Sequence, residues 1–566
     1  MLRGIQGAVI AWLDPWDPEG SARIYRTGER ERIAVQDRMP QPKELVAVLQ
    51  TLRADFYLHQ LIPGEDEGFN RLVSDMRTAG LSVMIGNEYG NANGNHTYGT
   101  NRFDLPPGIL RCASDAGVLL GTIYDETGHL QLHPDIYRSH LGLPCGRHQW
   151  VSDFPSSDSD ASRETRLVEI RRQVMSAIRA TLANCQTSTD SYAEAVFPAM
   201  YHTLAAGGLN PAPKLLKEEF YPVQIASAAG AARQYRRKLA FCVDLWGPDV
   251  GPWFTRYWAL PGHSPEEFAA ALELAERLAP DLIYVENMDP LARVGQRTEL
   301  TEFGDVLRAS WAAQGQEPVH ARGLSHWNEI VPTVAIVCSD DSDCGTGSPL
   351  WGCPGLMPDE LSRSVFTLFS LLSHGQIPSN GLTYFLPQFR YHATELRAQT
   401  TEAPQFPLGN GLCTEDTGSH LSFASFPSAM VFDEHADYGV LRDAGLIVVA
   451  GSSLSVQTWE ALVHASRQGA RVALPRWLVP HTQRRVASYC KGMLVADDMD
   501  DPRWEEWIEP WRAPPNEMQF RFGRQTLRAL RDGSSARMEF AVENCRPDET
   551  VRPADRLHWG RRGAQR

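Results

Sequence analysis

Two glutamates carry the chemistry that this sequence most readily supports. Glu126 follows the apolar run 117–124 (GVLLGTIY) and Asp125, and Glu286 closes the run 281–286 (DLIYVE). Two carboxyl groups brought face to face can divide a hydrolysis between them. One donates a proton to a leaving oxygen, and the other attacks the carbon or activates water. Further acids and aromatics end the other apolar runs. These are Asp14 and Trp16, His59, the trio Glu88, Tyr89 and Asn91, then Tyr124 and Asp125, Glu219, Asp244 and Trp246, and Tyr284 and Asn287. Aromatic faces pack on the C–H surface of a sugar ring while carboxylates hold its hydroxyls, so this set is expected to bind carbohydrate. Trp253 joins Trp16 and Trp246 as a stacking platform, and Glu219 is the rival of Glu126 for the acid/base role.

These groups need a scaffold that gathers strand ends. Short apolar runs at 7–14, 54–61, 82–88, 117–124, 213–220, 239–246 and 281–286 alternate with helical stretches, the pattern of repeating βα units around a parallel sheet. An eighth strand is expected at 317–323 (EPVHARG), which would close a (β/α)8 TIM barrel over residues 1–328. In such barrels the reacting groups stand at the C-terminal ends of the strands. The helix after Ser264-Pro265 carries a capping-box Glu267, and residues 155–208 are expected as a helical insertion between the fourth and fifth strands. Past the barrel, 329–488 reads as a small open α/β sheet domain with strands at 331–338, 445–451 and 471–474. Residues 489–550 read as a small C-terminal β unit with strands 516–523 and 536–543, and 551–566 as a basic tail.

With those residues in place, the chain resembles glycoside hydrolases of the large (β/α)8 clan that sets its acid/base at the end of strand four and its nucleophile at the end of strand seven. The resemblance maps Glu126 and Glu286 to those roles. It implies a glycosidase cleaving a β-linked oligo- or polysaccharide, with retention of configuration if the two carboxyls lie about 5–5.5 Å apart. The strand-four signature of the clan is Asn-Glu, whereas this chain has Asp125-Glu126. Residues 334–338, 445–450, 459–462 and 469–473 are similar to the trimerisation domain of one group of β-galactosidases, which itself resembles class I glutamine amidotransferases. The turn 451–455 (GSSLS) has no cysteine nucleophile, so that domain is expected to be structural and the protein a homo-oligomer, dimer or trimer.

Composition narrows the field. A formal net charge of −15 repels nucleic-acid phosphate and anionic lipid, and no partner of either kind is expected. No run of about 18 apolar residues appears, and the opening residues lack the features of a signal peptide, so a cytoplasmic location is expected. The 10 cysteines include no C-x-x-C pair, and the acidic loop 340–343 lacks the closing Glu of an EF-hand; neither metal nor cofactor is expected. P-loop, G-x-G-x-x-G, H-E-x-x-H and G-x-S-x-G patterns are absent as well. Two alternatives stay open: a non-catalytic glycan-binding barrel, and a transglycosylase or lyase on the same scaffold.

Overall fold

The structure, a computed structural model, describes residues 1–7, 14–18, 38–61, 66–87, 104–127, 161–185, 189–216, 221–245, 265–286, 288, 290–314, 326–341, 349–353, 355–377, 379, 423–483, 490–531 and 538–544. Eight parallel strands close into a barrel: β1 (Leu2–Gln6), β2 (Phe56–Gln60), β3 (Ser82–Gly86), β4 (Leu119–Tyr124), β5 (Asp190–Ala195), β6 (Asn210–Leu215), β7 (Ala240–Asp244) and β8 (Leu282–Glu286). Helices α1 (Pro42–Thr51), α2 (Asp66–Ala79), α3 (Pro107–Asp115), α4 (Arg163–Cys185), α5 (Tyr201–Gly207), α6 (Tyr221–Gln234), α7 (Pro265–Leu278) and α8 (Glu302–Gln314) alternate with them. The (β/α)8 expectation therefore holds, but three of its strands differ from those anticipated.

The first barrel strand is Leu2–Gln6, not 7–14, and it pairs with both β2 and β8. The fifth strand, DSYAEA, lies inside the stretch expected to be helical. Ala and Glu favour helix by intrinsic propensity, and burial against both neighbouring strands overrides that preference. The run expected at 213–220 is β6, Asn210–Leu215, entered through Pro211 and Pro213. The strand anticipated at 317–323 lies outside the described residues, and the barrel closes without it through β8 on β1. Glu286 consequently ends the eighth strand, and the seventh ends at Asp244.

Side chains alternate across each strand. One set faces the lumen: Phe56, Leu58, Met84, Ile123, Tyr192, Ala212, Ala240, Cys242, Leu282 and Tyr284 form a dry plug. The other set, including Tyr57, Val83, Ile85, Phe241, Val243, Ile283 and Val285, packs against the helices. Continuing the inward series one step toward the C-terminal mouth gives Glu194 on β5, Lys214 on β6, Asp244 on β7 and Glu286 on β8. The apolar layers below leave that charged layer only one open side.

After a short antiparallel pair, β9 (Ala292–Val294) and β10 (Thr298–Leu300), a second, all-parallel sheet has the order β12 (Ala429–Asp433), β11 (Val334–Cys338), β13 (Leu446–Ala450), β14 (Arg471–Pro475) and β15 (Met493–Ala496). With α9 (Glu360–Leu372), the short α10 (Tyr438–Leu441) and α11 (Val456–Arg467), it is an open α/β sheet of the doubly wound kind. Three antiparallel strands follow: β16 (Glu517–Phe522), β17 (Gln525–Arg531) and β18 (Met538–Asn544). The middle one, QTLRALR, escapes a sequence reading because its residues are mostly good helix formers.

The barrel covers the edge strand β12. Helix α6 approaches so closely that a Cβ on Gly230 would stand 1.7 Å from the Val431 carbonyl oxygen. Beside it, Arg171 of α4 reaches Asp433 at 2.6 Å and also Glu434. Asp340, just past β11, accepts from Met200 N at 3.1 Å and from Thr203 N at 3.0 Å, capping α5 of the barrel. Arg171→Met is expected to cost about 3–5 kcal/mol by leaving the buried Asp433 and the half-buried Glu434 without their cation. Guanidinium denaturation measures this, and an unchanged midpoint would show that the bridge contributes nothing.

Candidate active site

The inward layer converges on one ammonium. Lys214 is fully buried, and its Nζ lies 2.5 Å from Glu286 Oε2, 3.1 Å from Glu126 Oε1, 3.1 Å from Glu194 Oε2, 3.3 Å from Asp244 Oδ2 and 4.0 Å from Asp125 Oδ1. Burial alone would lower the pKa of this lysine. The carboxylates, led by Glu194 and Glu286, outweigh that effect and hold it well above the ordinary lysine value. Lys214 is therefore a fixed cation and not an amine available for attack.

Five carboxyl groups around one positive charge cannot all ionise cheaply. Glu194 takes the proton: burial pushes its pKa well above the usual carboxylate range, the ammonium of Lys214 only partly offsets this, and Asp125 adds to the rise. Glu194 Oε2 is 3.1 Å from the Lys214 ammonium but makes no well-aligned hydrogen bond with it, and Asp125 Oδ1 is likewise buried without one, so a proton on Glu194 directed at Asp125 answers both. Tyr284 donates its hydroxyl to Glu194 Oε1, and Thr127 Oγ1 donates to the Glu194 carbonyl at 2.7 Å.

Glu126 stands on the turn after β4 with φ of +34°, a region that a residue with a Cβ enters at a cost of roughly 1 kcal/mol or more. On one side of it, Asp125 N donates to Asn87 Oδ1 at 3.3 Å. On the other, Thr127 is tied to β5. These anchors hold the turn so that Glu126 meets the ammonium. Among the five acids, Glu194 and Asp244 are closed off at 0% side-chain exposure, while Asp125, Glu286 and Glu126 keep 3%, 4% and 6%.

Glu194, Cys242 and Glu286 also offer ligand atoms that lie within 4.8 Å of one another. That corner is filled by the Lys214 ammonium, and burial pushes the Cys242 thiol up, away from the thiolate that binds metals. The residues do not suit a divalent ion as they stand.

Several residues expected at the site are elsewhere. His59 and Tyr57 lie on the outward face of β2. His59 pairs with Asp14 at 3.4 Å and packs on Phe69 of α2. Trp16 is buried beside Tyr57, with its indole N–H on Asp75 of α2 at 2.8 Å. Tyr124 points outward into the core under α4, with its hydroxyl 3.8 Å from Cys185 Sγ. For His59 and Tyr124 the period of two along a strand sends the side chain to the helix side, whereas Trp16 lies beyond the end of β1. Asp125, Asp244 and Tyr284 do join the cluster, whereas Glu88, Tyr89, Asn91, Glu219, Trp246, Trp253 and Asn287 lie outside the described residues. Sequence reasoning passed over Lys214 and Glu194. The signal for Lys214 was a lysine flanked by Pro213 and Leu215 in a run with no other charge.

No family model matches the chain, and neither does any curated protein. Among solved structures it is similar to exo-β-1,4-mannosidase Op5Man5 from Opitutaceae bacterium strain TAV5, at 11% identity, over 86% of this chain and 79% of that one, with a TM-score of 0.41. It is similar to α-L-fucosidase isoenzyme 2 from Paenibacillus thiaminolyticus at 9% identity, over 96% and 71%, with a TM-score of 0.41. Dihydropteroate synthase from Anaplasma phagocytophilum matches at 11% identity, over 48% and 94%, with a TM-score of 0.21. Glycosidases thus recur among the neighbours, but likeness at this level assigns no reaction. No helix among the described residues is long and apolar enough to cross a membrane.

The neutral form of Glu194 has a measurable sign. A raised pKa means that the folded chain keeps a proton the unfolded chain releases. The contribution of this carboxyl is then complete below the ordinary Glu value and fades as pH rises toward the raised one. Glu194→Gln imitates the protonated form and is expected to flatten the fall of Tm between acid and neutral pH. A variant curve parallel to that of the wild type would contradict a neutral Glu194.

Proposed function

We propose that the protein is a glycoside hydrolase in which Glu126 is the acid/base and Glu286 the nucleophile of a retaining, double-displacement reaction on a β-linked neutral glycan. The observation that carries this reading is the contact of both carboxyls with the ammonium of Lys214, at the C-terminal end of a barrel whose floor is apolar. Laid end to end, those two contacts keep the nearest oxygens closer than the roughly 6.5–9.5 Å that an inverting pair leaves for water.

In the first step a Glu286 oxygen bonds to C1 as the C1–O bond to the leaving group breaks, and the departing oxygen takes the Glu126 proton. In the second, Glu126 removes a proton from water, the water oxygen bonds to C1, and Glu286 departs as a carboxylate. The acid/base position at the end of strand four agrees with the clan resemblance. The nucleophile position does not, because Glu286 ends β8, and the end of strand seven is Asp244. Glu286 is preferred because it keeps some exposure whereas Asp244 has none. A barrel that forms an imine with a carbonyl substrate needs a lysine that gives up its proton readily, and the carboxylates around Lys214 hold its proton on.

The excess of acids also selects the substrate: a uronic acid or phosphorylated sugar would bring a second anion to an anionic mouth. The second sheet and its helices are proposed to mediate self-association, which light scattering reads.

On a panel of aryl glycosides and oligosaccharides, Glu126→Gln and Glu286→Gln are each expected to lower kcat on the active substrate by about three orders of magnitude. Uronides should not be turned over. Full activity in both variants would sink the assignment. Loss in Asp244→Asn with activity kept in Glu286→Gln would move the nucleophile to β7. A folded wild type that binds glycans yet cleaves none would favour the binding-protein reading.

A further inference from the structure

We propose that Lys214 is a positioning residue that carries the counter-charge between the two catalytic carboxyls, leaving Glu286 for Glu126 as the first step proceeds and returning in the second. This inference rests on the functional reading above and goes beyond it.

The double displacement consumes one carboxylate charge and creates another. When the Glu286 oxygen bonds to C1, that carboxylate becomes a neutral ester. When Glu126 gives its proton to the leaving oxygen, it becomes the anion. The pair therefore holds one negative charge before and after the step, but the charge changes place. A cation fixed on Glu286 alone would oppose the move, because its partner vanishes while a new anion appears unpaired in a buried site. Lys214 stands within hydrogen-bond reach of both, 2.5 Å from Glu286 and 3.1 Å from Glu126. Its three N–H groups need only to redistribute, and lysine, a point charge with rotatable donors, suits that better than the rigid fork of arginine.

The rest of the surroundings keep the ammonium between the two. Glu194 Oε2 lies 3.1 Å from Lys214, and burial, which raises the Glu194 pKa, weakens it as a competing anion. Asp244 lies 3.3 Å from the ammonium on the side of β7. The groups facing Glu286 are then Lys214 on β6, Asp244 and Cys242 on β7, Tyr284 on β8 itself, Glu194 on β5 and Asp125 and Glu126 after β4, while the adjoining strand β1 ends in the neutral Gln6. Among the described residues Lys214 is the cation of this set, so its removal leaves anions and neutral groups of that set around the nucleophile.

The experiment compares pH profiles of kcat and kcat/KM on the active glycoside for the wild type, Lys214→Met and Lys214→Arg. Lys214→Met is expected to lower kcat by about 100-fold or more, the scale of a lost charge stabiliser in a buried site, with KM changed only a few-fold. The acid limb of kcat/KM should move to higher pH, since Glu286 has lost the charge that favoured its anion. Lys214→Arg keeps the charge and should leave the limb in place. A Met variant with wild-type kcat and an unmoved limb overturns the inference, as does an Arg variant whose limb moves as far as that of Met. If Lys214→Met does not fold, Lys214→Met with Asp125→Asn removes a negative charge together with the positive one, and it is read against Asp125→Asn alone with the same expected shift. Failure of this inference is distinct from failure of the site. If Glu126→Gln and Glu286→Gln lose activity while Lys214→Met does not, the carboxylate pair stands and the role of Lys214 falls.

Discussion

The structure turns on one buried ammonium placed among five buried carboxyl groups. Neither partner would be tolerated there alone: an uncompensated lysine or glutamate inside a barrel would shed its charge or force the fold open. Together they solve the problem incompletely, since one cation cannot neutralise five acids, and part of the remainder is met by holding a proton on Glu194. Much else follows from keeping this arrangement intact. The lumen below is filled by Phe56, Met84, Tyr192 and their neighbours, which keeps water from the charges on that side. The turn at Glu126 is held at positive φ because the carboxyl must reach the ammonium.

Alternation along the strands explains what was legible and what was not. The barrel was readable because β2, β3, β4, β7 and β8 are apolar on both faces, as strands buried on both sides of a parallel sheet must be. Acids ending such runs stand out, so Glu126, Glu286, Asp125 and Asp244 could be named without coordinates. Asp190–Ala195 could not, because half of its residues are the helix formers Ala and Glu and its inward Glu194 is the kind of residue a sequence reader assigns to solvent. Lys214 was hidden for the same reason. The face a strand residue takes was also underused: His59 and Tyr124 occupy outward positions, and a strict count of two from Leu58 and Ile123 would have removed both from the site.

A miscount of strands has a chemical consequence. With the first strand set too late and the fifth overlooked, Glu286 appeared to end the seventh strand. The structure puts it on the eighth, beside β1. The register pairs Asp244 with Glu286 across β7 and β8, so the two acids are neighbours and either can face the same point above the ammonium. What separates them is depth, since Asp244 is closed off while Glu286 retains a small opening.

The chain contains a second buried cation problem and solves it differently. At the junction with the second sheet, Arg171 spreads its planar fork over Asp433 and Glu434. Gln234 and Tyr235 of the barrel side complete the hydrogen bonding of Asp433. A fork with two fixed partners defines an orientation and resists rearrangement, which is what a joint between two packed units requires. Lys214 makes the opposite choice: one point charge, more acceptors than donors, and partners at graded distances from 2.5 to 4.0 Å. An excess of acceptors leaves several near-equivalent ways to share three N–H groups, and that degeneracy is of no use to a structural bridge. It is of use where negative charge must pass from one carboxyl to another without moving the backbone. The contrast between the two cations supports the proposed reading of the barrel mouth as a reaction site and of the junction as a rigid joint.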